Sequence, residues 1–230
     1  MSISVIIPAL NEEEVIAAVA RDCLATGLPD QVIVVDNGST DCTAERARGA
    51  GAKVVAEPTA GYGRACAAGI RALPADCDIV VFLDGDGSDC SEFMGRLIQP
   101  IARDQQDFVI GSRTRGKRER GSMNVQQVFA GRAAGVLLRL LYGVRYSDMC
   151  PFRAIRRSAL EKLGMKEATY GWNLEMQMRA ARAGLRILEV PVPHRCRRGG
   201  ESKVSGTVRG TFVAGIRIIA TLFRVAMERR

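Results

Sequence analysis

The chain has 230 residues, with 33 lysines and arginines against 25 acidic residues, and is 47% hydrophobic and 5% aromatic. This balance excludes collagen-like, coiled-coil and disordered classes and suits one large domain, or one domain with an appendage. The net +8 hides a split: residues 1–112 hold 8 basic and 17 acidic side chains, whereas residues 113–230 hold 25 and 8.

A basic half is a common footprint of nucleic-acid binding. Here the lysines and arginines are not interleaved with aromatics and no recognised binding motif is present, so no nucleic-acid partner is expected. Seven cysteines form no C-x-x-C pair and their number is odd, which fits free thiols in a reducing compartment. The chain opens into a strand-like run without a signal peptide, so a cytoplasmic location is expected. His194, the only histidine, has just Cys196 near it, too few ligands for zinc. We expect it to face outward at a strand end, without a catalytic role.

In chain order, apolar β-branched runs at Ile3–Ile7, Gln31–Val35, Lys53–Ala56, Asp78–Leu83 and Asp107–Ile110 read as strands. Stretches with helical spacing lie between them, at Glu13–Leu24, Cys42–Ala50, Ala65–Leu73 and Ser91–Ala102. Continuous apolar strands alternating with helices predict an α/β fold, its mainly parallel central sheet flanked by helices. Ligands of such sheets gather at the carboxyl ends of the strands. Residues 113–122 are basic and aperiodic, and are expected to form a mobile loop. A helix fits Val125–Tyr142, followed by an irregular piece at Ser147–Phe152 and helices near Arg157–Leu163 and Trp172–Ala183. Arg186–Val192 reads as a strand, Arg195–Ser205 as a second basic loop, and Thr207–Met227 as a helix.

No run reaches the length of a spanning helix. The tail helix puts Arg209, Arg217 and Arg224 on one face, with apolar residues over much of the remainder. Such a helix can lie in a membrane interface, or pack on the domain or a second subunit with its arginines in water. A homo-oligomer is therefore compatible with the sequence.

The unusual residues cluster at strand ends. Strand one ends in Pro8-Ala9-Leu10-Asn11-Glu12, where carboxylates suit a helix N-terminus through its dipole. Strand two ends in Asp36-Asn37-Gly38-Ser39-Thr40-Asp41: a tight turn with Asp41 or Ser39 as cap, or a seat for a base and ribose on Asp36 and Asn37. Gly61-Tyr62-Gly63 after strand three lacks the third glycine of a dinucleotide fingerprint. It lets a helix N-terminus approach phosphate or ribose, or merely forms a turn. The strongest cluster is Asp84-Gly85-Asp86-Gly87-Ser88-Asp89, three carboxylates whose repulsion calls for a cation. Oxygen-only ligands favour Mg²⁺ or Mn²⁺, and no twelfth-position glutamate completes an EF-hand.

Together, Val5–Glu12, Val35–Asp41, Asp84-Gly85-Asp86 and Gly111-Ser112-Arg113 resemble a family 2 glycosyltransferase of the GT-A fold. Downstream, Asp148-Met149-Cys150-Pro151-Phe152-Arg153 and Gly199-Gly200-Glu201-Ser202-Lys203 resemble the dolichyl/polyprenyl-phosphate mannose synthase branch. The resemblance covers essentially the whole chain, in order. It implies inverting transfer of a sugar from a GDP- or UDP-sugar to a lipid phosphate, on a GT-A domain spanning 1–206 with a tail helix at 207–230. Residues 1–112 would be the donor half and 113–206 the acceptor half.

Pro8, Asn11, Glu12, Asp36, Asn37, Asp84 and Gly85 would then line the nucleotide-sugar pocket, and Asp84 and Asp86 would hold the metal. Arg113, Arg132, Arg198 and Lys203 are the candidates for the acceptor phosphate, because guanidinium forks match phosphate oxygens. Asp86 and Arg113 are placed in the catalytic set with Glu175, which would serve as general base if the acceptor were a hydroxyl. The alternative for Glu175 is an ordinary helix start with Trp172 packed below it. Attachment would be peripheral, at the cytoplasmic face of a membrane. The sequence departs from the branch at Asp36-Asn37, where relatives often have two aspartates, and at Asp84–Ser88, where Asp-Ala-Asp-Leu-Gln is usual.

Overall fold

The computed structural model describes residues 1–199 and 220–228. Seven strands form one sheet in the order β3-β2-β1-β4-β6-β5-β7. β1 (Ser2–Ala9), β2 (Gln31–Asp36), β3 (Lys53–Ala56) and β4 (Cys77–Phe82) are mutually parallel, and so are β5 (Phe108–Ser112) and β7 (Ile187–Pro191). β6 (Arg153–Arg156) lies antiparallel between β4 and β5. The inner strands are buried along most of their length, as continuous Val/Ile runs require when helices cover both faces.

The helices are α1 (Ile16–Ala25), α2 (Thr43–Gly49), α3 (Tyr62–Arg71), α4 (Met94–Ala102), α5 (Val125–Tyr142), α6 (Arg157–Leu163) and α7 (Trp172–Arg182). A final helix, α8, runs over 220–227. α5 and α6 have the predicted bounds. The first helix starts later than expected, because residues 13–15 form a turn in which Val15 and Ile16 donate back to the Glu12 carbonyl.

Three expectations are corrected. β6 occupies the four residues left without an assigned element between the irregular piece ending at Phe152 and the helix beginning at Arg157, because a four-residue segment with an arginine at each end carries no strand periodicity. The loop at 113–122 is not free: His194 donates to the Lys117 carbonyl, Glu119 donates to the His194 carbonyl, and Cys196 N–H donates to Glu119 Oε2 at 2.7 Å. His194 therefore does not face outward. It is 5% exposed, and its Nδ1 lies 3.7 Å from Asp89 Oδ1.

The tail prediction lies largely outside the described residues, Arg209 and Arg217 included. Within α8, Arg224 turns inward to Glu167 (3.1 Å) and Glu175 (3.0 Å), while Val225 and Thr221 are buried. This part of the tail packs on the domain. Among the described residues no helix is long and apolar enough to cross a membrane.

α5 packs against α7 and the 146–148 segment through a face rich in small residues. Gly131, Ala134, Gly135 and Leu138 form its buried face. A side-chain carbon at Gly135 would overlap the Tyr146 carbonyl, so this helix sits close enough to brace the segment carrying Asp148.

Candidate active site

The order of strands reverses about β1, which has β2 on one side and β4 on the other. That crevice opens at the carboxyl ends of the strands, where such folds bind ligands. Ala9 is in register with Asp36, and Ile6 with Phe82, so the motifs following β1, β2 and β4 share one edge.

The loops after β1 and β2 are stitched together. Asn11, at φ 52°, accepts from Thr40 N–H through Oδ1 (2.8 Å), and its own N–H donates to Ser39 Oγ (3.0 Å). Glu12 N–H donates to Thr43 Oγ1 (2.8 Å), and Asp41 Oδ1 accepts from Thr43 N–H (3.0 Å). Asp36 Oδ1 accepts from Ser39 N–H (3.0 Å) at the rim. Asn37 is 6% exposed and its amide is fully employed: Nδ2 donates to the carbonyls of Glu57 and Thr59 (both 2.9 Å), and Oδ1 accepts from Gly61 N–H (2.8 Å). The expected contact of Asn37 with a base is thereby corrected. It fixes the β3–α3 loop instead, which seats the start of α3.

From that start Tyr62 donates its hydroxyl to Asp84 Oδ1 at 3.1 Å. Gly63 makes the approach possible, since any side chain there would strike the Glu167 carbonyl. Asp84 follows β4, with its N–H on Asp89 Oδ2 (3.1 Å). Gly85 lies against the Pro8 carbonyl, where an added Cβ would come within 3.2 Å. Burial first, then the charges of Asp89 and Asp86, push the Asp84 carboxyl up to about 8, and Arg113 opposes them. Asp86 Oδ1 accepts from the Ser88 N–H (2.9 Å) and hydroxyl (2.6 Å), leaving Oδ2 to Arg197 at 2.9 Å.

Arg197 was not singled out by sequence, and it is the basic side chain that enters the cluster. Its Nη2 lies 2.9 Å from Asp86 and 3.4 Å from Glu12 Oε1. Two adjacent arginines gave no hint of which would turn in. Arg198 turns the other way, to Asp22 at 3.3 Å, and Arg132 is exposed on α5, so neither joins a cradle with Arg113. Lys203 lies outside the described residues.

Arg113 grips Asp148 as a two-pronged pair, Nε and Nη2 each 2.8 Å from a carboxylate oxygen, and its backbone N–H adds a third bond. Asp148 is 1% exposed, and Arg113 holds its carboxyl below the ordinary range despite burial. Glu175 is corrected as a base. It is wholly buried at the start of α7, and its oxygens are taken by the N–H groups of Lys166 and Glu167 and by Arg179 and Arg224. Trp172 is 2% exposed, packed as the helix-start alternative expected.

Residues 4–164 match the model of glycosyl transferase family 2. The chain belongs to this family. An uncharacterised glycosyltransferase of Mycobacterium tuberculosis is 37% identical over 217 residues, covering 93% of this chain and 94% of that protein. Dolichyl-phosphate hexose transferase of Haloferax volcanii is 33% identical over 232 residues (99% and 95% covered), and undecaprenyl-phosphate mannosyltransferase of Micrococcus luteus is 31% identical over 228 (94% and 93%). Among solved structures, glucosyl-3-phosphoglycerate synthase of M. tuberculosis, in complex with Mn²⁺, UDP-glucose and phosphoglyceric acid, matches with TM-score 0.81 and 26% identity. It spans 100% of this chain and 81% of that one. The fold is the GT-A fold of family 2 glycosyltransferases, as its sequence motifs implied.

The family's implied divalent cation can be tested against these residues. No group of three or more His, Cys, Asp or Glu side chains converges as a ready ion cage among the described residues. Mg²⁺ and Mn²⁺ sites of the nucleotide type need only one or two carboxylates, the remainder being water and phosphate oxygens. Asp84 and Asp86 supply that donor set, and a guanidinium already stands where positive charge is wanted. The residues fit.

The same crowding makes a stability prediction. Asp84 carries a folded pKa above its unfolded value, so its ionisation costs stability progressively as pH rises from about 4 to about 8, and the cost is constant above that. Asp84→Asn should therefore raise the thermal midpoint in chelator at pH 8 and have little effect at pH 4. Paired melts at the two pH values check it.

Proposed function

We propose that this family 2 glycosyltransferase moves a hexose, with inversion, from a nucleoside-diphosphate sugar to a polyprenyl phosphate, and that Mg²⁺ or Mn²⁺ assists. The observation that carries the acceptor assignment is end-to-end similarity to two lipid-phosphate hexose transferases at 31–33% identity. A phosphate acceptor also agrees with the chemistry of the site. Its oxygen is already ionised at neutral pH and needs no strong base, and the one glutamate considered for that role is locked in ion pairs.

In this reading Asp36 and the Asn11–Ser39 clip shape the rim that receives the nucleoside, and Asp84 and Asp86 hold the cation. When bound, such an ion would offset the negative charge that develops on the departing diphosphate. Tyr62 fixes the orientation of Asp84. Arg197 compensates Asp86 and Glu12 and is the guanidinium that would meet an incoming phosphate. Arg113, held rigidly by Asp148, adds positive potential beside Asp84.

A second reading has a small soluble acceptor, favoured by the overlay on the phosphoglycerate-bound synthase. The two are separated by incubating labelled UDP- and GDP-hexoses with Mn²⁺ and either polyprenyl phosphate or 3-phosphoglycerate. Label in the organic phase supports the lipid acceptor. Label only in phosphoglycerate, or in neither acceptor with any donor, overturns it.

A further inference from the structure

We infer that the outward face of α5 is a docking surface for an anionic lipid bilayer. In an ordinary helical surface of this kind, apolar side chains belong on the face turned to the core. Here Val125, Phe129, Val136 and Leu140 are 85%, 72%, 62% and 78% exposed. Their spacings of four, seven and four residues put them on one stripe at 3.6 residues per turn. The opposite face is the one that packs inward, through Gly131, Ala134, Gly135 and Leu138. Exposed Arg132 and Arg139, seven residues apart, follow one edge of the stripe.

Charge selects the occupant. Between residues 120 and 147 there is no acidic residue, while Arg120, Arg132, Arg139 and Arg145 all occur. A second copy meeting this face across a two-fold axis would bring arginines against arginines with no carboxylate on the helix to offset them. A bilayer with anionic headgroups meets both halves of the pattern: acyl chains for the stripe, phosphates for its basic edge. The location also suits the chemistry. The buried face of α5 lies against Asp148, with an ideal Cβ at Gly131 3.6 Å from its Cα, and Asp148 holds Arg113 beside the acidic cluster. A helix lying flat on the lipid would therefore set the Arg113 side of the cleft at the headgroup level.

The inference deepens the polyprenyl-phosphate reading, yet its test contains no acceptor, so the two fail separately. The full-length chain is sedimented with vesicles of phosphatidylcholine mixed with phosphatidylglycerol, and with vesicles of phosphatidylcholine alone. We expect binding to the mixed vesicles, at least about tenfold weaker for the Phe129→Asp/Leu140→Asp double variant and about fivefold weaker for Arg139→Ala. Thermal midpoints of the variants should match the parent chain, because these side chains are exposed. Unchanged binding in the double variant would overturn the inference, since the contact would lie elsewhere. It would also be overturned by no vesicle binding at all, by a lowered midpoint (the stripe covered by the chain's own residues), or by a dimer that the double variant dissolves.

Discussion

Asp86→Asn is expected to lower sugar transfer by about 10²- to 10³-fold while leaving the fold intact. The size follows from what removal of one preorganised electrostatic group costs when charge develops in the transition state. Asparagine keeps the shape, and its amide oxygen can still accept from the Ser88 N–H and hydroxyl that now bind Asp86 Oδ1. What disappears is the anionic Oδ2, which faces Arg197. Asp86 is one of the two carboxylates that would hold the cation, so the substitution would weaken that donor set. Loss of a carboxylate from a three-acid cluster relieves repulsion, so the thermal midpoint should not fall by more than a degree or two's worth of stability, on the order of 0.5 kcal/mol. Initial rates with saturating donor and a parallel melt check both parts. Transfer within tenfold of the parent would remove Asp86 from the chemistry.

The largest stability effect is expected at Asp148. Truncation to alanine leaves Arg113, whose side chain is only 14% exposed, without the carboxylate that holds both prongs of its guanidinium. Removal of one partner from a buried pair costs about 3–5 kcal/mol, because the surviving charge is neither solvated nor compensated. The backbone N–H of Arg113 loses its acceptor as well. Replacement of the whole pair by apolar residues of similar volume, Arg113→Met with Asp148→Leu, should recover most of that loss. Activity should not return with it, since the positive potential beside Asp84 is gone. Denaturant melts of the single and double variants give the comparison. A single variant as stable as the parent would mean that the pair is solvated and contributes little.

The first half of the chain was the more legible. Its strands are continuous Val/Ile runs, and its acids sit where those runs stop, so both the sheet and the Asp84–Asp89 cluster could be read from residue order. The second half was less legible. β6 is four residues long with an arginine at either end, and it pairs with strands distant in sequence, so no local period reveals it. Side-chain direction was the other blind spot. Asn37 looked like a base reader and is spent on three backbone groups of the next loop. Glu175 looked like a general base and anchors α8 through Arg224. Arg197 and Arg198 are neighbours of identical chemistry, and only tertiary packing turns the first toward Asp86 and the second toward Asp22. The inward turn of the tail arginine Arg224 likewise depends on Glu167 and Glu175, nearly sixty and fifty residues earlier.

The uneven charge of the two halves takes its meaning from this arrangement. The acidic strand ends crowd carboxylates at one edge of the sheet, and Arg197, from the basic half, pairs with Glu12 and Asp86 there. Under the proposed function, the acidic edge accepts a nucleoside diphosphate only together with a divalent cation. Calorimetric titration of UDP and of GDP into the protein, once with Mn²⁺ and once with chelator, tests it most directly. At least one nucleotide should bind only with Mn²⁺ and should lose that binding in Asp86→Asn. Equal affinity in chelator, or undiminished Mn²⁺-dependent binding by Asp86→Asn, would contradict it.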